Sequence, residues 1–262
     1  MSEPLLELDH VTKRFGRVVI AEAVSLAVSA GDTVGIVGPN GAGKTSLFGL
    51  ISGDLAPDGG QVRFGGRTVT KLDAASRCRL GVGRTYQVPR PFGDMTVFEN
   101  LLVAAQQGAG LRRRASYTAA VDALQRAGIS DQANVPAERL GLLQRKRLEL
   151  ARALATQPTL LLLDEVAGGL TDPEVAQLVE IVRGVNADGT AVIWIEHVVR
   201  ALTAVVGRLI CLSGGQFVGD GEPSAVLANP AVREVFLGTE VTAALAGGAL
   251  DAAPEDGERS EP

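Results

Sequence analysis

The sequence predicts an α/β fold with a parallel sheet covered on both faces and a helical lobe inserted near the middle of the chain. Apolar strand-like runs alternate with helical patterns in the second half, which is typical of parallel sheets. The strand-like runs lie at residues 160–163, 191–195 and 209–212, with helices predicted between them at residues 172–185 and 198–206. Residues 96–155 are mostly helical in pattern and predict the inserted lobe.

The N-terminal part of the chain predicts strands and turns before the first helix. Residues 5–37 read as short strands, of which the run 32–38 is apolar and closed by glycine, as expected of a buried strand. A helix is predicted directly after it, at residues 44–51. Glycine pairs bracket a further strand at residues 61–64, and residues 82–86 form another strand candidate.

The net charge of the chain belongs to its C-terminal segment. The 262 residues carry 25 Lys and Arg against 30 Asp and Glu, a formal net charge of −5. Residues 238–262 hold six acidic residues and one arginine, so the rest of the chain is balanced. This segment is rich in Ala, Gly and Pro, and it predicts a disordered tail at residues 239–262. The neutral body disfavours a large basic surface for nucleic acid.

The apolar segments, the N-terminus and the cysteines bear on the cellular compartment of the protein. No window approaches the roughly 20 apolar residues that span a bilayer, so we expect any membrane role to come through a partner. The short acidic N-terminus does not predict a secretory signal. Cys78 and Cys211 lack metal-ligand spacing and predict buried free thiols in a reducing compartment.

The glycine-rich loop between the first buried strand and helix fits the pattern G-x-x-x-x-G-K-[ST]. Glycines let successive amide groups surround phosphate oxygens, and the helix N-terminus adds a favourable field. Lys44 supplies a charge for the β- and γ-phosphates, and Thr45 supplies a hydroxyl for Mg²⁺. The predicted nucleotide-binding residues are Gly38, Pro39, Asn40, Gly41, Ala42, Gly43, Lys44, Thr45 and Ser46. A chance glycine turn is the alternative, which the flanking strand and helix disfavour.

Two carboxylates complement this loop. Asp164 and Glu165 follow the four apolar residues 160–163, at the C-terminal end of a predicted buried strand, where ligands bind in such sheets. Asp164 suits Mg²⁺, and Glu165 suits polarising an attacking water. A simple helix N-cap is the alternative for the pair taken alone. Together with the loop, the pair predicts nucleoside triphosphate hydrolysis.

On these motifs the chain resembles the ATP-binding cassette (ABC) ATPases over residues 5–238. The resemblance implies a P-loop NTPase fold, namely an ABC-type nucleotide-binding domain with a RecA-like core, an antiparallel β subdomain and an inserted helical subdomain. It implies an ATPase with ATP and Mg²⁺ as cofactors. It also implies an ABC ATPase domain at residues 1–238, with its helical subdomain at about residues 96–155.

Three further residues match the positions of family site residues. By this resemblance Gln87 contacts Mg²⁺ and the attacking water, Phe15 stacks on adenine, and His197 contacts the γ-phosphate. Each residue also has a non-functional interpretation: Gln87 as a surface loop residue, Phe15 as a core packing residue and His197 as a structural residue. Residues 169–171 fall at the family's D-loop, where Thr171 replaces the usual Asp.

A closer resemblance is to the cytoplasmic ATPase subunits of branched-chain (hydrophobic) amino-acid importers. It is carried by residues 83–87, 95–101, 144–152, 195–197 and 229–238. It implies a second ATPase subunit, two permeases whose coupling helices dock on the helical lobe, a substrate-binding protein and no nucleic acid. It places the chain in the cytoplasm, peripheral on the inner face of the membrane. The sequence does not identify the transported substrate. Two alternative functions also remain, a slow regulatory ABC subunit and a non-transport ABC ATPase.

The family's signature, Leu-Ser-Gly-Gly-Gln at a helix start, is degenerate in this chain. The five positions read Leu140, Gly141, Leu142, Leu143 and Gln144. The signature presses a helix N-terminus against the γ-phosphate held by the other subunit, and leucine adds bulk where the backbone must approach closely. We therefore expect an asymmetric heterodimer with one competent site, whereas a homodimer would have two weakened sites. A literal Leu-Ser-Gly-Gly-Gln at residues 212–216 is interpreted as a hairpin turn.

Overall fold

The computed structural model describes residues 3–236, so the expected tail at residues 239–262 lies outside the described residues. The strands are β1 (Leu6–Phe15), β2 (Val18–Val28), β3 (Thr33–Val37), β4 (Gly59–Phe64), β5 (Arg67–Thr68), β6 (Val82–Arg84), β7 (Leu160–Asp164), β8 (Ala191–Ile195), β9 (Arg208–Ser213) and β10 (Gln216–Gly221). The helices are α1 (Lys44–Ser52), α2 (Ala74–Arg79), α3 (Val97–Val103), α4 (Arg113–Arg126), α5 (Leu142–Ala155), α6 (Asp172–Ala187), α7 (Val199–Thr203), α8 (Pro223–Ala228) and α9 (Pro230–Phe236). None of these helices is long and apolar enough to cross a membrane.

The larger sheet has the strand order β10-β9-β3-β8-β7-β6. Strands β9, β3, β8, β7 and β6 run parallel, and β10 returns antiparallel to β9. Every residue of β7 and β8 is buried, because helices and the second sheet cover both faces. The α/β architecture with a parallel central sheet is therefore confirmed.

The smaller sheet is antiparallel, with the strand order β2-β1-β4-β5. Its apolar side packs with α1 and one face of the larger sheet into a single cluster, which includes Leu6, Phe48 and Ile36. The predicted short strands at residues 5–37 are longer than expected, with 10 residues in β1 and 11 in β2. Both strands bend at β-bulges, which let them wrap around α1.

Helices α3, α4 and α5 lie within residues 96–155, the part of the chain that the sequence predicts to be a helical lobe. Thr96 and Glu99 make reciprocal hydrogen bonds at the start of α3, a capping box that satisfies its free amide groups. A π-helical turn at Ala104–Gly108 follows α3. The lobe's apolar residues, such as Leu101 and Leu148, belong to the same cluster as the outer face of the larger sheet.

Parallel pairing brings four functional segments to one edge of the larger sheet. Ile36 in β3 and Asp164 in β7 both pair with Ile195 in β8, while Arg84 in β6 pairs with Leu162. The glycine-rich loop, the carboxylate pair, His197 and Gln87 follow the C-terminal ends of these strands. Such an edge is where ligands bind in open parallel sheets.

The literal signature sequence at residues 212–216 forms the predicted hairpin turn between β9 and β10. Gly214 and Gly215 occupy the left-handed region with φ of 56° and 79°. A helix cannot start there, because its first turn requires negative φ. The interpretation of this segment as a turn is confirmed.

Candidate nucleotide-binding site

The loop at residues 38–43 depends on glycine at two positions. Gly38 has φ of 153°, and a Cβ there would lie 2.0 Å from the carbonyl oxygen of Leu212. Gly43 has φ of 99°, and a Cβ there would lie 2.7 Å from the carbonyl oxygen of Ile20. Gly43 also caps α1 without a side-chain hydrogen bond. The first amide groups of α1 are therefore available to an anion.

Lys44 lies inside this loop as its cation. Its Nζ donates to the carbonyl oxygens of Gly38 at 2.7 Å and Pro39 at 3.0 Å. Burial lowers the pKa of Lys44, and the carboxylates of Glu165 and Asp164 oppose that shift. A phosphate in the loop would add a third anionic partner and favour the charged ammonium.

Thr45 and Asp164 supply oxygen ligands suited to a hard cation. The Thr45 hydroxyl donates to Oδ1 of Asp164 at 3.4 Å, and Asp164 is only 1% exposed. Burial raises the pKa of Asp164, while the guanidinium of Arg84 opposes that rise. No cluster of three His, Cys, Asp or Glu side chains suited to a metal occurs within residues 3–236. The donor set therefore fits Mg²⁺ bound together with phosphate oxygens rather than in a protein cage.

Glu165 is the centre of a hydrogen-bonded group. Nε2 of His197 lies 2.7 Å from its Oε1, and the Gln87 amide donates to its Oε2. The backbone of Glu165 has φ of 49°, which is rare for a residue with a side chain and costs about 1–3 kcal/mol. The structure therefore brings together Gln87, Glu165 and His197, which are far apart in the sequence, around one strained residue.

Phe15 and the degenerate signature lie apart from this group. Phe15 is 50% exposed at the end of β1, with the Lys13 ammonium 5.3 Å from its ring centre, so core packing does not describe it. Gly141 caps α5 without a side-chain hydrogen bond, and Leu142 behind it is 50% exposed. Across residues 3–236, no hydrogen bond joins residues 140–144 to the glycine-rich loop.

Three charged residues of the site escaped the sequence analysis. Arg84 pairs with Asp164, and Lys146 donates to the carbonyl oxygen of Glu165 at 3.1 Å. Glu196 accepts from the backbone N–H groups of Ala167 at 2.5 Å and of His197. Burial raises the pKa of Glu196, and these two hydrogen bonds oppose the rise. A charged residue at the end of a buried strand was the available signal for Arg84 and Glu196.

The predicted thiols differ in burial. Cys211 is buried in β9, as expected, whereas Cys78 is half-buried at the end of α2. The expectation that both are buried is wrong for Cys78, because α2 packs with only one side against the core.

Comparisons with known proteins agree with this arrangement. The ABC transporter family model matches residues 21–168. The chain is 35% identical to the high-affinity branched-chain amino acid transport ATP-binding protein LivG of Salmonella typhimurium, over 91% of this chain and 99% of that protein. It is 34% identical to the corresponding protein BraF of Pseudomonas aeruginosa, with the same coverage.

Solved structures give the same result for the fold. A nucleotide-free ATP-binding cassette from an ABC transporter superimposes with a TM-score of 0.83 at 28% identity, covering 90% of this chain and all of that one. The ADP conformation of MJ1267, an ATP-binding cassette of an ABC transporter, gives a TM-score of 0.83 at 28% identity over 91% of this chain. A family model matching more than half of the chain and relatives aligned over nearly their whole length show that this chain belongs to the ABC transporter family of ATP-binding cassettes and is an ATPase.

Proposed function

We propose that this chain is the ATP-hydrolysing subunit of an ABC importer for branched-chain or related amino acids. The observation that carries the proposal is the convergence of Gln87, Glu165 and His197 beside the glycine-rich loop. Similarity to LivG and BraF over almost their whole length supports amino acids as the substrate class.

The geometry supports a role for each side chain in hydrolysis. Lys44 and the loop amides would bind the phosphates, while Thr45 and Asp164 would hold Mg²⁺. Bound Mg²⁺ would supply positive charge to the phosphate oxygens. Glu165 polarises the attacking water, and hydrogen bonds from its two neighbours in the site fix the direction of its carboxylate.

The degenerate signature favours an asymmetric heterodimer. In a composite site, the N-terminus of α5 faces the nucleotide of the partner subunit, and here that end presents the half-exposed Leu142. Loss of one phosphate-directed donor costs about 2.7–4 kcal/mol, or 10²–10³ in rate. This chain's own nucleotide would meet the signature of its partner, so one of the two sites stays competent.

A cavity between the core and the helical lobe supports permease docking. It measures about 220 Å³ and lies between β6, α2 and α5, with Arg84 and Tyr86 in its lining. Two exposed aromatic side chains lie at this cavity, namely Tyr86 in its lining and Phe92, whose ring centre is 5.6 Å from Cζ of the lining residue Arg152. An apolar face of a coupling helix would bury these side chains, and ATP-driven closure of two ATPase subunits would then move the permeases. The chain would thus be peripheral on the cytoplasmic face, in a complex that includes a substrate-binding protein.

The test is reconstitution of this chain with candidate permeases and a second ATPase in vesicles, with the binding protein and radiolabelled leucine. ATP-dependent uptake that disappears with Glu165→Gln supports the proposal. Hydrolysis without uptake of any branched-chain or related amino acid would overturn the importer assignment while leaving the ATPase intact.

A second candidate, a slow regulatory ABC subunit, is favoured by the leucines at the signature. In that case this chain would bind ATP and hydrolyse it only very slowly. Full turnover by the purified chain alone would contradict it.

A further inference from the structure

One face of α5 binds the backbone of the loop that follows β6. Lys146, Glu149 and Arg152 follow one another at three-residue spacing, which brings them to the same side of the helix. Nη1 of Arg152 donates to the carbonyl oxygen of Arg90 at 2.9 Å and to Oε2 of Glu149 at 2.9 Å. The main chain of this loop is therefore tied to α5 at Arg90.

Lys146 extends this attachment to the residue after β7. Its Nζ donates to the carbonyl oxygen of Gln87 at 3.3 Å and to that of Glu165 at 3.1 Å. The side chains of the same two residues hydrogen-bond to each other. Lys146 thus holds, from the main-chain side, two residues that meet through their side chains.

Glu165 has a backbone that needs such support. A left-handed conformation in a residue with a side chain persists only where its surroundings fix it. The N–H of Glu165 donates to the carbonyl oxygen of Ile195 at 2.9 Å, and its own carbonyl accepts from Lys146. The residue is held on both sides by groups from other elements.

Burying the ammonium group of a lysine at this position costs free energy unless hydrogen bonds and nearby carboxylates compensate for the lost hydration. Lys146 is 5% exposed, and burial lowers the pKa of its ammonium group. The carboxylates of Glu196, Glu165 and Glu149 oppose that shift. An apolar side chain would fill the same volume without desolvating a charge, so the ammonium and its directed hydrogen bonds distinguish Lys146 from a packing residue.

We propose that Lys146 is a positioning residue for ATP hydrolysis, which fixes the carbonyl groups of Gln87 and Glu165 and thereby aims the Glu165 carboxylate at the attacking water. The inference rests on the role of Glu165 in the proposed function. Lys146 acts through main-chain groups, so its loss slows hydrolysis without weakening ATP binding. A displacement of a reacting group by about 1 Å costs on the order of 100-fold in rate.

The experiment compares variants of the full chain in the preparation that gives wild-type ATP hydrolysis. Lys146→Met removes the charge at similar volume, Lys146→Gln keeps a shorter neutral donor if the first variant does not fold, and Lys146→Arg retains the charge. Arg147→Met is the matched control, because that guanidinium binds Gly128 and Gln177 instead of the catalytic segments. Steady-state kcat and KM, binding of labelled ATP and melting temperature are measured for each.

We expect the neutral variants to lose roughly 10- to 100-fold in kcat with ATP affinity nearly unchanged. Lys146→Arg should recover most of kcat, and Arg147→Met should match the wild type. An unchanged kcat in a folded neutral variant, or a loss that tracks melting temperature and that arginine does not rescue, would overturn the inference. A Glu165→Gln chain that hydrolyses ATP at the wild-type rate would instead overturn the proposed function itself.

Discussion

Nη2 of Arg84 lies 3.2 Å from Oδ2 of Asp164, in an ion pair almost completely excluded from solvent. The same guanidinium lies 2.7 Å from Oδ2 of Asp54. The carboxylate assigned to Mg²⁺ thus has a cationic partner within its own chain. Mg²⁺ held by Thr45 and Asp164 would add positive charge to the same buried group.

Replacing Arg84 should make the stability of the protein depend more strongly on Mg²⁺. Removing one partner of a buried ion pair costs about 3–5 kcal/mol, so Arg84→Met should unfold at a lower temperature than the wild type without metal. Mg²⁺ with ATP replaces the missing charge, and the increase in melting temperature on adding both should be larger in the variant. Arg84→Lys is the control that keeps the charge. Equal increases in variant and wild type would contradict this prediction.

Glu165→Gln should separate ATP binding from ATP hydrolysis. Glutamine keeps the shape of the side chain and loses the carboxylate, so hydrolysis should fall by at least about 100-fold. Affinity for ATP should stay near the wild-type value, because the loop amides and Lys44 are unchanged. Phosphate release and binding of labelled ATP measure the two quantities, and Glu180→Gln on the exposed face of α6 is the matched control. Equal losses of binding and hydrolysis would argue against the assignment of Glu165.

Restoring the signature should raise turnover in the complex at a cost in stability. Gly141→Ser with Leu142→Gly and Leu143→Gly removes bulk at the start of α5, and turnover at the partner's nucleotide should rise by up to 10²–10³-fold. Two glycines in the first turn should cost about 1–2 kcal/mol, which a serine N-cap offsets by a few tenths. ATPase assays and chemical denaturation check the two effects.

Ser213→Ala, within the hairpin, is the control for that experiment. Because its segment is a turn between β9 and β10, turnover should not change. If Ser213→Ala lowers turnover and the restored signature does not raise it, the assignment of the signature to residues 140–144 is wrong.

Both cysteines should resist alkylation in the native state. Burial raises the pKa of Cys211 to about 11 and also raises that of Cys78. The reactive thiolate is therefore scarce at neutral pH, and its population grows only as the pH approaches these raised values. Mass spectrometry after iodoacetamide treatment should find both thiols unmodified in the native chain and modified after unfolding in urea. Rapid native labelling of Cys211 would contradict the prediction.

Local patterns predicted most of the fold, because the buried strands and the glycine-rich loop are encoded by adjacent residues. The predicted ends of strands and helices were less accurate than their positions in the chain. The strand predicted at residues 82–86 ends at Arg84, although the N–H of Thr85 still donates to the carbonyl oxygen of Leu162 in β7 at 2.9 Å. The helix predicted at residues 198–206 spans Val199–Thr203, because the chain must turn into β9.

The partners of the missed site residues come from distant parts of the chain. Arg84 meets Asp164, which is 80 positions further along the chain, because β6 and β7 are paired in the sheet. The contact of Lys146 with Gln87 spans 59 positions and requires α5 to pack beneath the loop. Contacts over such separations produce no periodic pattern in the sequence. Motif spacing therefore predicted the residues that would act on phosphate, but not Arg84 and Lys146, which position them.

The turn at Gly214 and Gly215 also bears on how substitutions in this chain are to be interpreted. The sequence of residues 212–216 is identical to the family's signature motif, yet these residues form a turn between two strands, with two glycines in the left-handed region. In a library of variants randomised at these positions, selection should retain glycine at residues 214 and 215, because the turn needs their backbone freedom. The variants would be ranked by how well the hairpin folds. Its fitness scores would report first on the folding of this hairpin, and only at Leu212, whose carbonyl oxygen lies against Gly38, would they also bear on the glycine-rich loop.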